Sequence, residues 1–252
     1  MRKRPTDRQP VTQQALRVNM ILQGLEDSIA ATFLAEADLV TLSPRQKIYE
    51  PDRPILEVYF PIDSVLSVVT RMNDGSQIEV GTVGREGVSG FPLLLGAAST
   101  ANDSYCQVPG LALAIGAQVF RELSETNERF RQLLDRYLQA YVNMLGQLAA
   151  CNRLHSICER CARWLLMTHD RVGRESIPLT HEYLAMMLGT GRSGVTIAAA
   201  TLRHAGFITY ARGVITILDR AGLEDATCEC YGVAREQFAG ILRFVNRSAA
   251  LA

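Results

Sequence analysis

Apolar residues recur along this chain with two different periods, and the change falls near Val119. From Leu39 to about Ile115, short runs of β-branched and aromatic residues are interrupted by glycine and proline. "EVYFPIDS" and "SVLSVVTRM" are two such runs; Asn73-Asp74-Gly75 reads as a hairpin turn, and "SQIEVGTVG" alternates on its far side. "SYCQVPGLALAIG" adds further short strands. Short strands with frequent turns predict a barrel or roll. Beyond it, Glu128 to His169 has almost no breakers, and Leu133, Tyr137, Leu138, Tyr141, Met144, Leu145 and Leu148 recur at spacings of three and four. So long a helix cannot be covered by one small roll, and its stripe calls for a partner helix. A two-fold dimer through Leu134, Tyr137, Leu138, Tyr141, Leu145 and Leu148 is the simplest solution; the alternative is packing along its own domain. Gly146 and Asn152-Arg153 are the expected points of bending or breakage.

After the loop "DRVGRESIP" come two short helical runs. Thr180 is a good N-cap, Glu182 sits where the helix dipole favours it, and Leu184, Met187 and Leu188 form an apolar face ending at Gly189. A second helix is predicted from Arg192 to His204, closed by Gly206, followed by a strand, an Arg212-Gly213 turn and a strand. Helix, tight turn, helix and hairpin describe a winged helix-turn-helix. On the second helix Val195, Ala198, Ala199, Leu202 and Ala205 share one side, while Arg192, Ser193, Thr196, Ile197, Ala200, Arg203 and His204 share the other. That outer arc has cations, hydroxyls and small or apolar groups but no carboxylate, which suits a DNA major groove: arginine bonds guanine edges, hydroxyls bond bases or phosphates, and Ile or Ala meets a thymine methyl. Arg192 stands first because the N-terminal end of a recognition helix reaches base edges. Thr180 and His181 are expected at the phosphate backbone, and Arg212 in the wing at a flanking phosphate.

The charge distribution strengthens this picture. The net charge is zero, yet residues 1–20 carry +4, 21–150 carry −7, 151–222 carry +4 and the last thirty −1. An acidic half joined to a basic half containing all four histidines suggests two jobs, the basic one facing a polyanion. The polar first twenty residues, with Pro5 and Pro10, predict a loose arm. No apolar run approaches the roughly 20 residues that span a bilayer, and no secretory signal is evident, so a cytoplasmic protein without membrane partners is expected.

The stretch "LTHEYLAMMLGTGRSGVTIAAATLRHAGFITYARGVITILD" resembles the DNA-binding domain of the Crp/Fnr superfamily of bacterial transcription regulators. "VYFPIDSVLSVV", "DGSQIEVGTVGREGVSG" and "CNRLHSICERCARWLLMTHDRVG" resemble its sensor and linker segments, and the likeness runs in order over roughly residues 21–222. It implies an α+β fold: an arm over 1–20, a cyclic-nucleotide-binding-like β-roll over 21–123, a dimerisation helix over 124–153, a winged helix-turn-helix over 154–222 and a helical extension over 223–252. The implied function is that of a non-enzymatic homodimer that binds an inverted repeat in double-stranded DNA, contacts RNA polymerase, and responds to its sensor; the alternative of a sensor module without DNA activity is opposed by the arginine-bearing, carboxylate-free arc of the second helix. Ser193 and Ile197 stand where family members reading the well-known half-sites have glutamate and arginine, so the base sequence read stays open; Arg192 matches an arginine of the cyclic-AMP-responsive branch. Glu79 with Gly84, Arg85, Glu86 and Gly87 form the candidate effector pocket. Asn102 and Asp103 fall where cyclic-nucleotide binders place an arginine, and a carboxylate beside a phosphate repels it. Cyclic AMP is therefore not the expected effector, and no cofactor is assigned.

Six cysteines at 106, 151, 158, 161, 228 and 230 do not form a disulfide framework. Cys151, His155, Cys158 and Cys161 are spaced to share a helix side, but an axial span of about 15 Å lets one metal use only two of them. Cys228 and Cys230 could complete a site; the favoured reading is that the cysteines fill a helix interface and hold no metal, with a metal- or redox-responsive regulator as the alternative. A Cys–His nucleophile is not supported, because no motif supplies an oxyanion site.

Overall fold

The computed structural model describes residues 8–249. Two four-stranded antiparallel sheets form the roll. One contains β1 (Arg8–Pro10), β2 (Asp38–Leu42), β8 (Gly110–Gly116) and β4 (Glu57–Pro61) in that order; the other runs β3 (Lys47–Tyr49), β7 (Asp103–Val108), β5 (Val65–Arg71), β6 (Gln77–Val83). The β5–β6 hairpin turns at the predicted Asn73-Asp74-Gly75, where Gly75 has φ +83°. Helices α1 (Gln13–Leu16), α2 (Asp27–Glu36) and α3 (Ala117–Thr126) close the roll. Phe33, Phe60, Phe120 and Phe130 meet edge-to-face at centroid distances of 5.3 to 6.2 Å, fastening α2, β4, α3 and the following helix around one aromatic centre.

That helix, α4 (Glu128–Leu154), begins at Asn127, whose side chain accepts from the Phe130 amide, and runs unbroken through Gly146. The break falls at His155-Ser156, just past Asn152-Arg153, where Ser156 and Glu159 form a capping box that starts α5 (Ile157–Val172). Reciprocal satisfaction of free amides at Ser156 outweighs the absence of a glycine or proline there. The helix-turn-helix segment follows: β9 (Ser176–Pro178), α6 (His181–Leu188), α7 (Arg192–His204), β10 (Ile208–Ala211), β11 (Val214–Ile217) and α8 (Arg220–Asp225). The last helix, α9 (Cys230–Ala249), turns back along α4: Phe238 stacks on Tyr137 at 6.4 Å, and Asn143 donates to Gln237 at 2.9 Å.

Two expectations change here. The loose arm is ordered from Arg8: β1 pairs with β2, Arg8 meets Asp38 and Glu57, and buried Asn19 donates to the Pro61 and Gly87 carbonyls; residues 1–7 lie outside the described residues. The α4 stripe is covered largely from within its own chain, with Leu134, Tyr137 and Tyr141 buried and Leu138, Leu145 and Leu148 half-buried. Periodicity required a cover for that stripe, and α9 together with the roll supplies much of it. The side left outward runs through Asp135, Gln139, Val142, Gly146 and Ala149, and Val142 is 54% exposed.

Candidate nucleic-acid interface

Thr180 caps α6 by accepting from the Tyr183 amide, and Glu182 occupies the first turn. The helix ends at Gly189, which has φ +58°; a side chain there would be strained and would collide with Ile78 of the roll. The chain reverses through Thr190 and Gly191 into α7. Val195, Ala198, Ala199 and Leu202 are buried on its inner face, as the projection requires, whereas Ala205 lies exposed at the C-cap. Arg192, Ser193, Thr196, Ile197, Ala200, Arg203 and His204 are all exposed. Ile197, 69% exposed on a helix whose opposite face is sealed, is an apolar side chain without a partner among the described residues.

Arg192 lies against Glu182 with an Nη2–Oε2 distance of 2.5 Å. Both side chains are more than 60% exposed, so this pairing is weak and leaves the guanidinium free to move to another acceptor. His181 departs from its expected role. Its ring stacks on Tyr210 at 4.4 Å, Nδ1 meets Thr196 Oγ1 at 3.3 Å, and Nε2 is buried, so His181 braces α6 against α7 and the wing instead of reaching outward. The wing turn places Arg212 at its exposed tip with φ +50°.

The expected effector residues are occupied by α5. Glu79 is half-buried and accepts from Ser67 at 2.6 Å, from Gln107 at 3.0 Å and from the Trp164 indole at 3.0 Å. Burial pushes its carboxyl up to about 7, against those donors and the nearby Arg171 and Arg163. Glu86 forms a buried pair with Arg171 at 2.9 Å and accepts from the Gly84 amide. Gly84 lies against Arg171 and Gly87 against Tyr137, each closely enough that a Cβ would clash. Arg85 and Glu86 line a cavity of about 270 Å³ that lies outside the roll, walled by Met167, Tyr231 and Phe238 of α5 and α9. Inside the roll, between Ser89-Gly90-Phe91 and Asn102-Asp103-Ser104, the free volume is about 20 Å³, room for a water but not a nucleotide. Asp103 there is paired with Arg71 at 3.0 Å.

The Glu79 carboxyl gives a pH prediction. With a folded value of about 7 against an ordinary 4.5, folding retains a proton that the unfolded chain releases. Its contribution is full below pH 4.5, declines between 4.5 and about 7 by at most ~1.4 kcal/mol per pH unit, and is gone above that, on the order of 3 kcal/mol in total. Denaturation across pH 4.5–8 should show this component in the wild type and not in Glu79→Gln; identical profiles would contradict it.

Residues 159–226 match the model of the Crp-like helix-turn-helix domain. None of the curated proteins compared matches the chain. Among solved structures the chain is similar to FixK2 from Bradyrhizobium japonicum, with a TM-score of 0.65 and 15% identity over 76% of this chain and 98% of that one. It is also similar to a CRP-family transcriptional regulator from Thermus thermophilus (0.62, 19%, 74% and 95%). The c-di-GMP-responsive global regulator CLP of Xanthomonas campestris gives 0.58 and 15% over 76% and 99%. A β-roll, a long helix and a winged helix-turn-helix follow one another in this order, which is the fold of these structures. This chain has that fold, and the matched Crp-like helix-turn-helix domain lies in its C-terminal half. No helix among the described residues is long and apolar enough to cross a membrane.

Proposed function

We propose that the protein acts as a homodimer that reads an inverted repeat in double-stranded DNA and regulates transcription through contact with RNA polymerase, without catalytic chemistry of its own. The observation that carries this reading is the outer face of α7, exposed and free of carboxylates while its inner face is sealed. Arg192 reads a guanine, Ser193, Thr196 and Ile197 meet neighbouring bases or phosphates, and Arg203, Arg212 and Thr180 hold the backbone. The dimer forms along the outward side of α4, with Val142 at its centre and half-buried Leu138 and Leu145 beside it. Input reaches α7 through the joint where Glu79 and Glu86 grip α5. The filled interior of the roll supports an effector other than a cyclic nucleotide.

The test is selection of DNA fragments by the purified protein, with and without cyclic AMP, beside sedimentation of the wild type and of Leu138→Glu/Leu145→Glu. A dimer, an inverted repeat with half-sites about one helical turn apart, indifference to cyclic AMP, and a monomeric double variant that no longer binds DNA are expected. A monomeric wild type at micromolar concentration, or selected DNA without two-fold symmetry, would refute the reading.

A further inference from the structure

Cys151 lies in the last turn of α4 and His155 one turn further on, at its C-cap, so the four-residue spacing puts both on one side of the helix end. Cys228 and Cys230 come from the turn into α9, with Glu229 between them. Three sulfurs and a histidine ring nitrogen from these residues all lie within 4.8 Å of one another. The three cysteines are at most 4% exposed and form a cluster apart from the main apolar core. Thiols here face thiols and an imidazole, whereas cysteines that merely fill an interface face aliphatic carbon. Cys158 and Cys161, beyond the break at Ser156, belong to neither that cluster nor its ligand set.

We propose that Cys151, His155, Cys228 and Cys230 bind one thiophilic divalent cation of the zinc type in a tetrahedral site. Metal–sulfur and metal–nitrogen bonds of about 2.3 and 2.0–2.1 Å set tetrahedral sulfurs roughly 3.8 Å apart and sulfur from nitrogen roughly 3.6 Å apart. The Cys151 and Cys228 sulfurs are 3.6 Å apart, and Cys230 Sγ lies 3.5 Å from His155 Nδ1. The first distance is far beyond a disulfide bond of about 2.05 Å. The outer ring nitrogen of His155 meets Glu229 Oε2 at 3.2 Å, an arrangement that holds the proton on Nε2 and turns the Nδ1 lone pair inward. Gln147 donates to Cys230 Sγ at 3.0 Å. Binding releases three thiol protons to solvent, and three thiolates with a neutral imidazole around a dication leave one negative charge. Arg160 and Arg163 stand close enough to Cys151 to interact with its charge; both are buried, and the Nε of each has no hydrogen-bond partner among the described residues. Ligand atoms this close together suit a single ion, since a polynuclear cluster sets its terminal ligands on separate metals. The site ties the α4–α5 elbow to the start of α9, so loading fixes the angle at which the DNA-binding segment leaves α4.

The full-length protein, purified untagged under reductant, is loaded with Zn²⁺ or Co²⁺, desalted and assayed for metal, with no DNA present. One equivalent per chain is expected. The Co²⁺ form should show the intense visible bands of tetrahedral coordination and a near-ultraviolet thiolate band. Cys228→Ser should lose that thiolate-rich spectrum, whereas Cys158→Ser and Cys161→Ser should keep it. Glu229 is largely exposed, so Glu229→Gln is expected to fold normally, keep the tetrahedral spectrum and bind roughly 10–100-fold more weakly. Substoichiometric binding by folded wild type, a pale octahedral Co²⁺ spectrum, binding unchanged in Cys228→Ser, or a Cys151–Cys228 disulfide in place of bound metal would each overturn the proposal.

Discussion

Arg192→Ala is expected to weaken binding to the selected DNA ten- to a hundredfold and to relax base preference at one position in each half-site. A bidentate arginine–guanine contact contributes about 1–3 kcal/mol of discrimination, which is that range of affinity. Little opposes the arginine's move onto DNA, because its present partner Glu182 is itself exposed and the pair contributes at most ~1 kcal/mol. Arg192→Lys should recover charge without recovering preference, since an ammonium cannot present the two-pronged donor. Thr180→Ala, by contrast, removes a helix cap and should lower affinity for all sequences about equally. Electrophoretic shifts against the selected site and against point-substituted sites distinguish these outcomes. An Arg192→Ala protein that binds as tightly and as selectively as wild type would remove α7 from the role of reading helix.

Glu86→Ala is expected to destabilise the protein by about 3–5 kcal/mol, because it leaves the Arg171 guanidinium buried without its counter-ion. At this chain length that corresponds to a fall in Tm of roughly 6–20 °C. The Gly84 amide loses its acceptor at the same time. Glu86→Gln/Arg171→Met removes both charges, keeps an acceptor for Gly84, and should restore more than half of the loss. Thermal denaturation of the wild type and the two variants settles the matter: a loss under ~1 kcal/mol in Glu86→Ala would mean that water or another side chain solvates Arg171.

Elements whose signals are local were legible in the sequence. The Asn73-Asp74-Gly75 hairpin, the capped start of α6, the Gly189 turn and the two faces of α7 each follow from residues within a few positions of one another. What escaped depends on which distant segment fills a given space. Periodicity showed that Leu134, Tyr137 and Tyr141 needed a cover, but a helix stripe carries no mark distinguishing a second chain from α9. The cysteines were misleading for the same reason. Cys151, His155, Cys158 and Cys161 share a spacing, yet the Ser156 break divides them, and the partners of the first two lie more than seventy residues away. Ser156 and Glu159 three residues apart were the available sign of that break. Glu79 and Glu86 entered the candidate effector pocket through the family resemblance; Gly84 and Gly87 beside Glu86 instead make room for Arg171 and Tyr137.

The Glu79–Trp164 contact has an optical consequence. Trp164 is the chain's single tryptophan, and its indole is buried at the seam between the roll and α5 with its N–H on the carboxylate. Indole emission moves to longer wavelength when the ring meets water, and no other residue contributes to that band. The unlabelled protein therefore carries its own fluorophore at a seam between the roll and α5, and steady-state emission can follow the opening of that seam in real time.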